Sequence, residues 1–336
     1  MKIFAYSLSA LILGGTVLAG PLQKEEVAAD AKWLLHLDVD KLRSTSAGDF
    51  LIREIADKVF AEPKAVMKQD TGFDLDLTKI RSITAYGDYS ASNSVLLLKT
   101  DLDVEKALDG ALARIVKEAK LESPPVGKTV QDGIATYTLR DRAVLSLRPD
   151  KITIFSQSAA ANRKADDVLS GRSPNLSSSP AFAEFPGAPK TFFFLGAAEA
   201  FNAGLDSTSE AFEDGQNNPK ARILKMTDSG RIVLGQEGEQ LFLRVSLKAK
   251  TSEVVTQMQQ VIQGMIALAS LSQSGNEDIQ ALTDAAKVST AGNIVNLSLS
   301  FPAEKALLML KKQVEQRARD HESLRGTNAP SKTKEK

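Results

Sequence analysis

Twice along its 336 residues this chain runs through the same order of secondary-structure signals, and that repetition constrains its fold more than any single motif. The first pass opens at KWLLHLD (32–38), a short strand. A helix follows over about 49–60, where Ile52, Ile55 and Val59 stand three and four residues apart and so share a face. Strands near 80–89 and 94–100 come next. Asp103 is placed to cap the following helix, on which Val104, Ala107, Leu108, Ala111, Leu112 and Ile115 form an apolar stripe. Asp132-Gly133 between two apolar runs predicts a hairpin, and a second hairpin over 143–155 turns at Pro149-Asp150. A helix ending near Gly171 closes the half.

The second pass starts at KTFFFL (190–195) and continues with a helix over about 197–212. Strands at 230–235 and 240–249 flank the Glu237-Gly238 turn. Thr251 or Ser252 can cap a long helix that reaches 272. A short helix at 278–285, strands at 287–290 and 294–301 turning at Gly292-Asn293, and a helix opening at Pro302 complete it. The order strand-helix-strand-strand-helix-strand is split βαβ-like in both halves. The expected class is α+β: two similar halves, each a mostly antiparallel sheet backed by helices. Identity between the halves is negligible, so an internal duplication is read from order and pattern alone. The expected boundaries are a signal peptide (1–19), a first α+β domain (30–172), a linker (173–189), a second α+β domain (190–316) and a disordered tail (317–336). The linker segment holds four prolines and four serines, which suits an exposed connection.

Composition narrows the function classes. An apolar fraction of 43% and a charged fraction of 25% are those of a globular chain. With 42 basic and 42 acidic residues there is no surplus of charge to hold nucleic acid, which is not expected as a partner. The chain has no cysteine, hence no disulfide, thiol nucleophile or thiolate metal site. Lys2, the apolar run Ile3 to Leu18 and the small-x-small pattern Val17-Leu18-Ala19 read as a cleaved export signal. No later apolar run reaches spanning length, so no transmembrane segment is expected after cleavage. Export to the periplasm or the exterior is the expectation.

Candidate chemical motifs fail on inspection. Gly127-Lys128-Thr129 resembles the end of a phosphate-binding loop, but Glu122 replaces the leading glycine and Ser123-Pro124-Pro125 cannot supply a nest of backbone N–H groups. Three aspartate pairs, Asp38/Asp40, Asp74/Asp76 and Asp101/Asp103, sit where one element hands over to the next, which predicts capping rather than calcium ligation. His36 and His321 are the only histidines, too few and too far apart for a histidine metal site. Ser246 and Lys248 share a strand face, read as polar surface rather than a catalytic dyad. No metal or cofactor is expected.

The helix 251–272 stands out. Met258, Val261, Ile262, Met265 and Ile266 mix on one side, and methionine suits adaptable apolar surfaces. Gln257, Gln259, Gln260 and Gln263 make the opposite side polar. These five apolar residues are the candidate ligand-binding set. The expected function is that of an exported, non-catalytic binding or interaction protein of the cell envelope. Its partner is then an unknown envelope protein or a small apolar ligand. The alternatives are a carrier of a lipid-like or small molecule along helix 251–272, and a carboxylate-dependent hydrolase.

Three segments, ADAKWLLHLDVDKLRSTSAGDFL (29–51), TGFDLDLTKIRSITAYGDY (71–89) and NIVNLSLSFPAEKALLML (293–310), resemble uncharacterised exported proteins of planctomycete and verrucomicrobial bacteria. The resemblance implies export and carries no activity, so no functional residue comes with it.

Overall fold

The computed structural model describes residues 21–56, 61–71, 75–139, 143–183, 185, 189–199, 219–272 and 275–312. The expected signal peptide, most of the expected helix 197–212 and the expected tail lie outside the described residues.

Among the described residues twelve strands join in one open sheet of order β11-β12-β10-β9-β8-β1-β2-β3-β7-β6-β5-β4. The strands are β1 (Trp33–Asp38), β2 (Ile80–Gly87), β3 (Val95–Thr100), β4 (Gly127–Gln131), β5 (Ile134–Leu139), β6 (Ala143–Leu147), β7 (Ile152–Ser156), β8 (Phe192–Glu199), β9 (Thr227–Glu237), β10 (Gln240–Ala249), β11 (Ala286–Ala291) and β12 (Ile294–Pro302). All pairings are antiparallel. The fold is α+β. Each half repeats one layout: β1-β2-β3-β7-β6 in the first, β8-β9-β10-β12-β11 in the second, with the β4–β5 hairpin added at the first half's edge. The halves meet where β1 pairs with β8, from Trp33↔Ala198 to Leu37↔Phe194.

The helices are α1 (Val39–Arg43), α2 (Ser46–Phe50), α3 (Ala61–Thr71), α4 (Val104–Glu118), α5 (Ala159–Leu169), α6 (Pro219–Met226), α7 (Ser252–Ser272), α8 (Glu277–Ala285) and a final helix over residues 303–312. One continuous helix was expected over 49–60. Residues 49–56 are helical, as the end of α2 and a wider helical turn, Leu51–Ala56, that continues it, and 57–60 lie outside the described residues. The helix expected from 197 does not begin there, because β8 continues through Glu199. Gly196 and the two alanines after it lie between β1 and β9, and pairing on both sides outweighs their helical propensity.

The capping expectations have direct counterparts. Asp38 accepts the Lys41 N–H at 2.8 Å, Asp76 the Thr78 N–H at 2.9 Å and Asp103 the Lys106 N–H at 3.1 Å. At the predicted Asp132-Gly133 turn both residues take positive φ, 50° and 77°, as a tight primed turn requires.

Strand alternation places the two cores on opposite faces of the sheet. On one face, Leu34, Tyr86, Leu97, Ile154, Leu195, Val233 and Phe242 pack under α5 and the segments around Val27 and Leu176. On the other, Ala249 and Val295, with Leu247 and Val288 partly buried, pack under α6 and α7. Parts of the expected linker pack against the first core. Leu176 is 3% exposed within the first core, Phe185 is also buried, and Ala28 bridges Asn175.

Candidate functional site

The second core is incomplete, and the gap is the candidate site. β10 and β12 alternate strictly, so Leu243, Val245 and Leu247 share a face with Leu299, Leu297 and Val295. These are direct cross-strand partners: Leu243↔Leu299, Val245↔Leu297 and Leu247↔Val295. The three pairs make an apolar platform. Above it runs α7, contributing Ile262, Met265, Ile266 and Ala269, and beside it α8, contributing Ile279, Leu282 and Thr283. Ile223 of α6 and Ala286 complete the walls of a cleft of about 490 Å³.

The cleft stays open on the side of α8, which is short. α8 has nine residues, none of them buried. Asn276 caps it, its side-chain oxygen accepting the N–H groups of Asp278 and Ile279 at 3.1 and 3.3 Å. Leu243, Val245, Leu297 and Leu299 therefore remain only partly buried. A platform of leucine and valine left half in water is what an apolar ligand would cover.

Chemically the lining is uniform. Thr283 is the one polar residue of the lining among the described residues, and its hydroxyl donates to the Gln280 carbonyl at 2.9 Å rather than into open space. Among the described residues no ionisable side chain lines the cleft.

Of the five candidate residues on α7, Ile262, Met265 and Ile266 line the cleft. Met258 and Val261 do not: Met258 is 0% exposed in the second core, and Val261 packs at that core's edge. The strand platform was missing from the candidate set. Its signal was present in the 2-residue alternation of 241–247 and 295–301, which marks one apolar face but not whether that face is fully covered.

The remaining candidates are structural. His36 is 2% exposed and its Nδ1 lies 2.9 Å from the Thr84 hydroxyl. The Ser246 hydroxyl donates to Asn296 at 2.8 Å, and Lys248 lies 3.7 Å from Asp228. Lys128 sits on edge strand β4 and pairs with Asp109 at 2.7 Å and Glu105 at 3.0 Å. Asp40 and Asp101 flank Arg81, with Arg43 and Lys151 alongside, so these carboxylates are neutralised by ion pairs. Hydrogen bonds from Lys151 and Arg81 hold the Asp101 carboxyl below the usual aspartate range. Among the described residues no group of three or more histidine or acidic side chains is arranged to hold a metal.

Neither a family model nor a curated protein matches the chain. Among solved structures, three crystal forms of TP0453, a treponemal protein, are similar over 88% of this chain and 98–99% of theirs. Their TM-scores are 0.47, 0.44 and 0.44, at 12%, 12% and 13% identity. Likeness at this level assigns nothing about function. Among the described residues no helix is long and apolar enough to cross a membrane.

Proposed function

We propose that the chain is an exported, non-catalytic binding protein of the cell envelope whose cleft accepts an elongated apolar ligand such as an acyl or alkyl chain. The observation that carries this reading is the lining: apolar side chains from three strands and three helices, interrupted among the described residues by one threonine, around about 490 Å³. That volume is within the range of small-molecule sites, about 300–1,000 Å³. The leader-like first twenty residues support the location. Because no cation among the described residues lines the cleft, a neutral chain is favoured over a carboxylate, whose burial without a partner would be costly.

Titration with the neutral, environment-sensitive dye Nile red tests the reading. The account expects saturable fluorescence enhancement that dodecanol reverses. Leu297→Glu, which places a carboxylate in the middle of the platform, should weaken dye binding by about tenfold or more. Dye binding that this variant leaves unchanged would overturn the assignment to the cleft.

A further inference from the structure

The face of the second half opposite the cleft carries a different kind of site. There β9, β10 and β12 present Ser229, Arg231, Arg244, Ser246, Asn296 and Ser298. The register sets Arg231 opposite Ser246 and Arg244 opposite Ser298, so the two arginines are diagonal neighbours on adjacent strands. Each guanidinium lies over a buried aromatic ring. The Arg231 guanidinium carbon is 5.6 Å from the ring centre of Phe185, and that of Arg244 is 5.0 Å from Phe242.

Neither guanidinium has a carboxylate partner among the described residues. Glu199, the diagonal neighbour of Arg231 on β8, is engaged elsewhere: it accepts the Phe182 N–H at 3.0 Å and faces Lys32 at 3.8 Å. Asp228 faces Lys248. Arg231 Nε is buried with no hydrogen-bond partner. Burial and the positive charge of Arg244 both make the charged state of Arg231 less favourable than an isolated arginine's. Two like charges, one half-buried and lacking a counter-ion, are an unfavourable arrangement in the empty protein. Their aromatic supports fix the two forks without using their outer N–H groups, which is the preorganisation that oxyanion recognition needs.

We propose that this face binds a phosphate-type oxyanion between Arg231 and Arg244. The site is independent of the apolar cleft, since the sheet separates them. The phosphate belongs either to a soluble molecule or to a lipid headgroup, and both present the same oxygens to the two forks.

Isothermal titration calorimetry of the full chain with inorganic phosphate is the test. The expected result is saturable binding that Arg244→Gln and Arg231→Gln each weaken by about tenfold or more. Arg231→Lys, which keeps the charge but loses the fork, should weaken it too, and this variant serves if Arg231→Gln does not fold. Arg244→Gln should leave the thermal midpoint of the phosphate-free protein undiminished, because it removes a like-charge neighbour. Co-sedimentation with phosphatidylglycerol vesicles, against phosphatidylcholine vesicles, separates the two sources. Arginine-dependent vesicle binding assigns a headgroup, and phosphate binding without it assigns a soluble phosphate. No binding of phosphate, or binding that all three variants leave intact, overturns the proposal.

Discussion

Burial decides the character of single residues here more than charge does. Glu26 lies 2.6 Å from Lys99, with both side chains largely buried. Desolvation raises the Glu26 carboxyl above its ordinary 4.5, and the hydrogen bond and positive charge of Lys99 offset this only in part. A carboxyl with a raised native value favours the protonated folded state. Its contribution to stability is therefore full below pH 4.5 and is lost as pH rises through the raised value. Glu26→Gln cannot titrate. The stability of wild type relative to Glu26→Gln should thus fall as pH rises across that window, by up to about 1.4 kcal/mol per pH unit. Urea unfolding of both proteins at a series of pH values measures it, and a wild-type stability that rises relative to the variant's as pH increases would refute the burial argument. Gly196 shows the same dominance of packing. An added Cβ there would meet Ile232 at 2.9 Å and Leu35 at 3.1 Å, so a small residue is needed where propensity suggested a helix start.

Among the elements, α7 divides its labour along its length. Its first half builds the core: Val255, Met258 and Ile262 are buried. Its last turns leave the core, and Leu268 and Leu271 are 64% and 74% exposed. Met258→Ala should therefore cost about 2–5 kcal/mol, while Leu271→Ser should cost about 0.5 kcal/mol or less. Denaturant midpoints of the two variants give the comparison, and similar losses would mean that the end of α7 is packed after all. Most elements were legible in the sequence, because caps, paired turns and 2- or 3.6-residue periods are local signals. α1, α3 and α6 were not: α1 and α6, of five and eight residues, are too short for a periodic pattern, and the anchor of α6 in the core is Ile223. The cleft was half legible. Periodicity marked α7 as apolar on one side, but which of those residues meet the core and which meet open space depends on how far α8 reaches, a tertiary fact.

For the molecule as a whole, one layout used twice leaves two different faces. One face carries a core shared by both halves and closed by α5 and the segments around Val27 and Leu176, whereas on the other face the second half leaves a strand platform partly open under α7 and α8. Element order made the repeat visible in the sequence. The joining of both halves into one sheet was not visible, since β1–β8 pairing links residues more than 150 positions apart in sequence. The same sheet separates the apolar cleft from the arginine face, so ligands at the two sites do not compete for space. Methyl NMR of the full chain labelled at isoleucine, leucine and valine, titrated with dodecanol, locates the apolar ligand directly. The account predicts saturable shifts concentrated at Leu243, Val245, Ile262, Ile279, Leu297 and Leu299, with Leu34 and Ile154 of the opposite core unmoved. Shifts centred on that opposite core, or none at all, would contradict it.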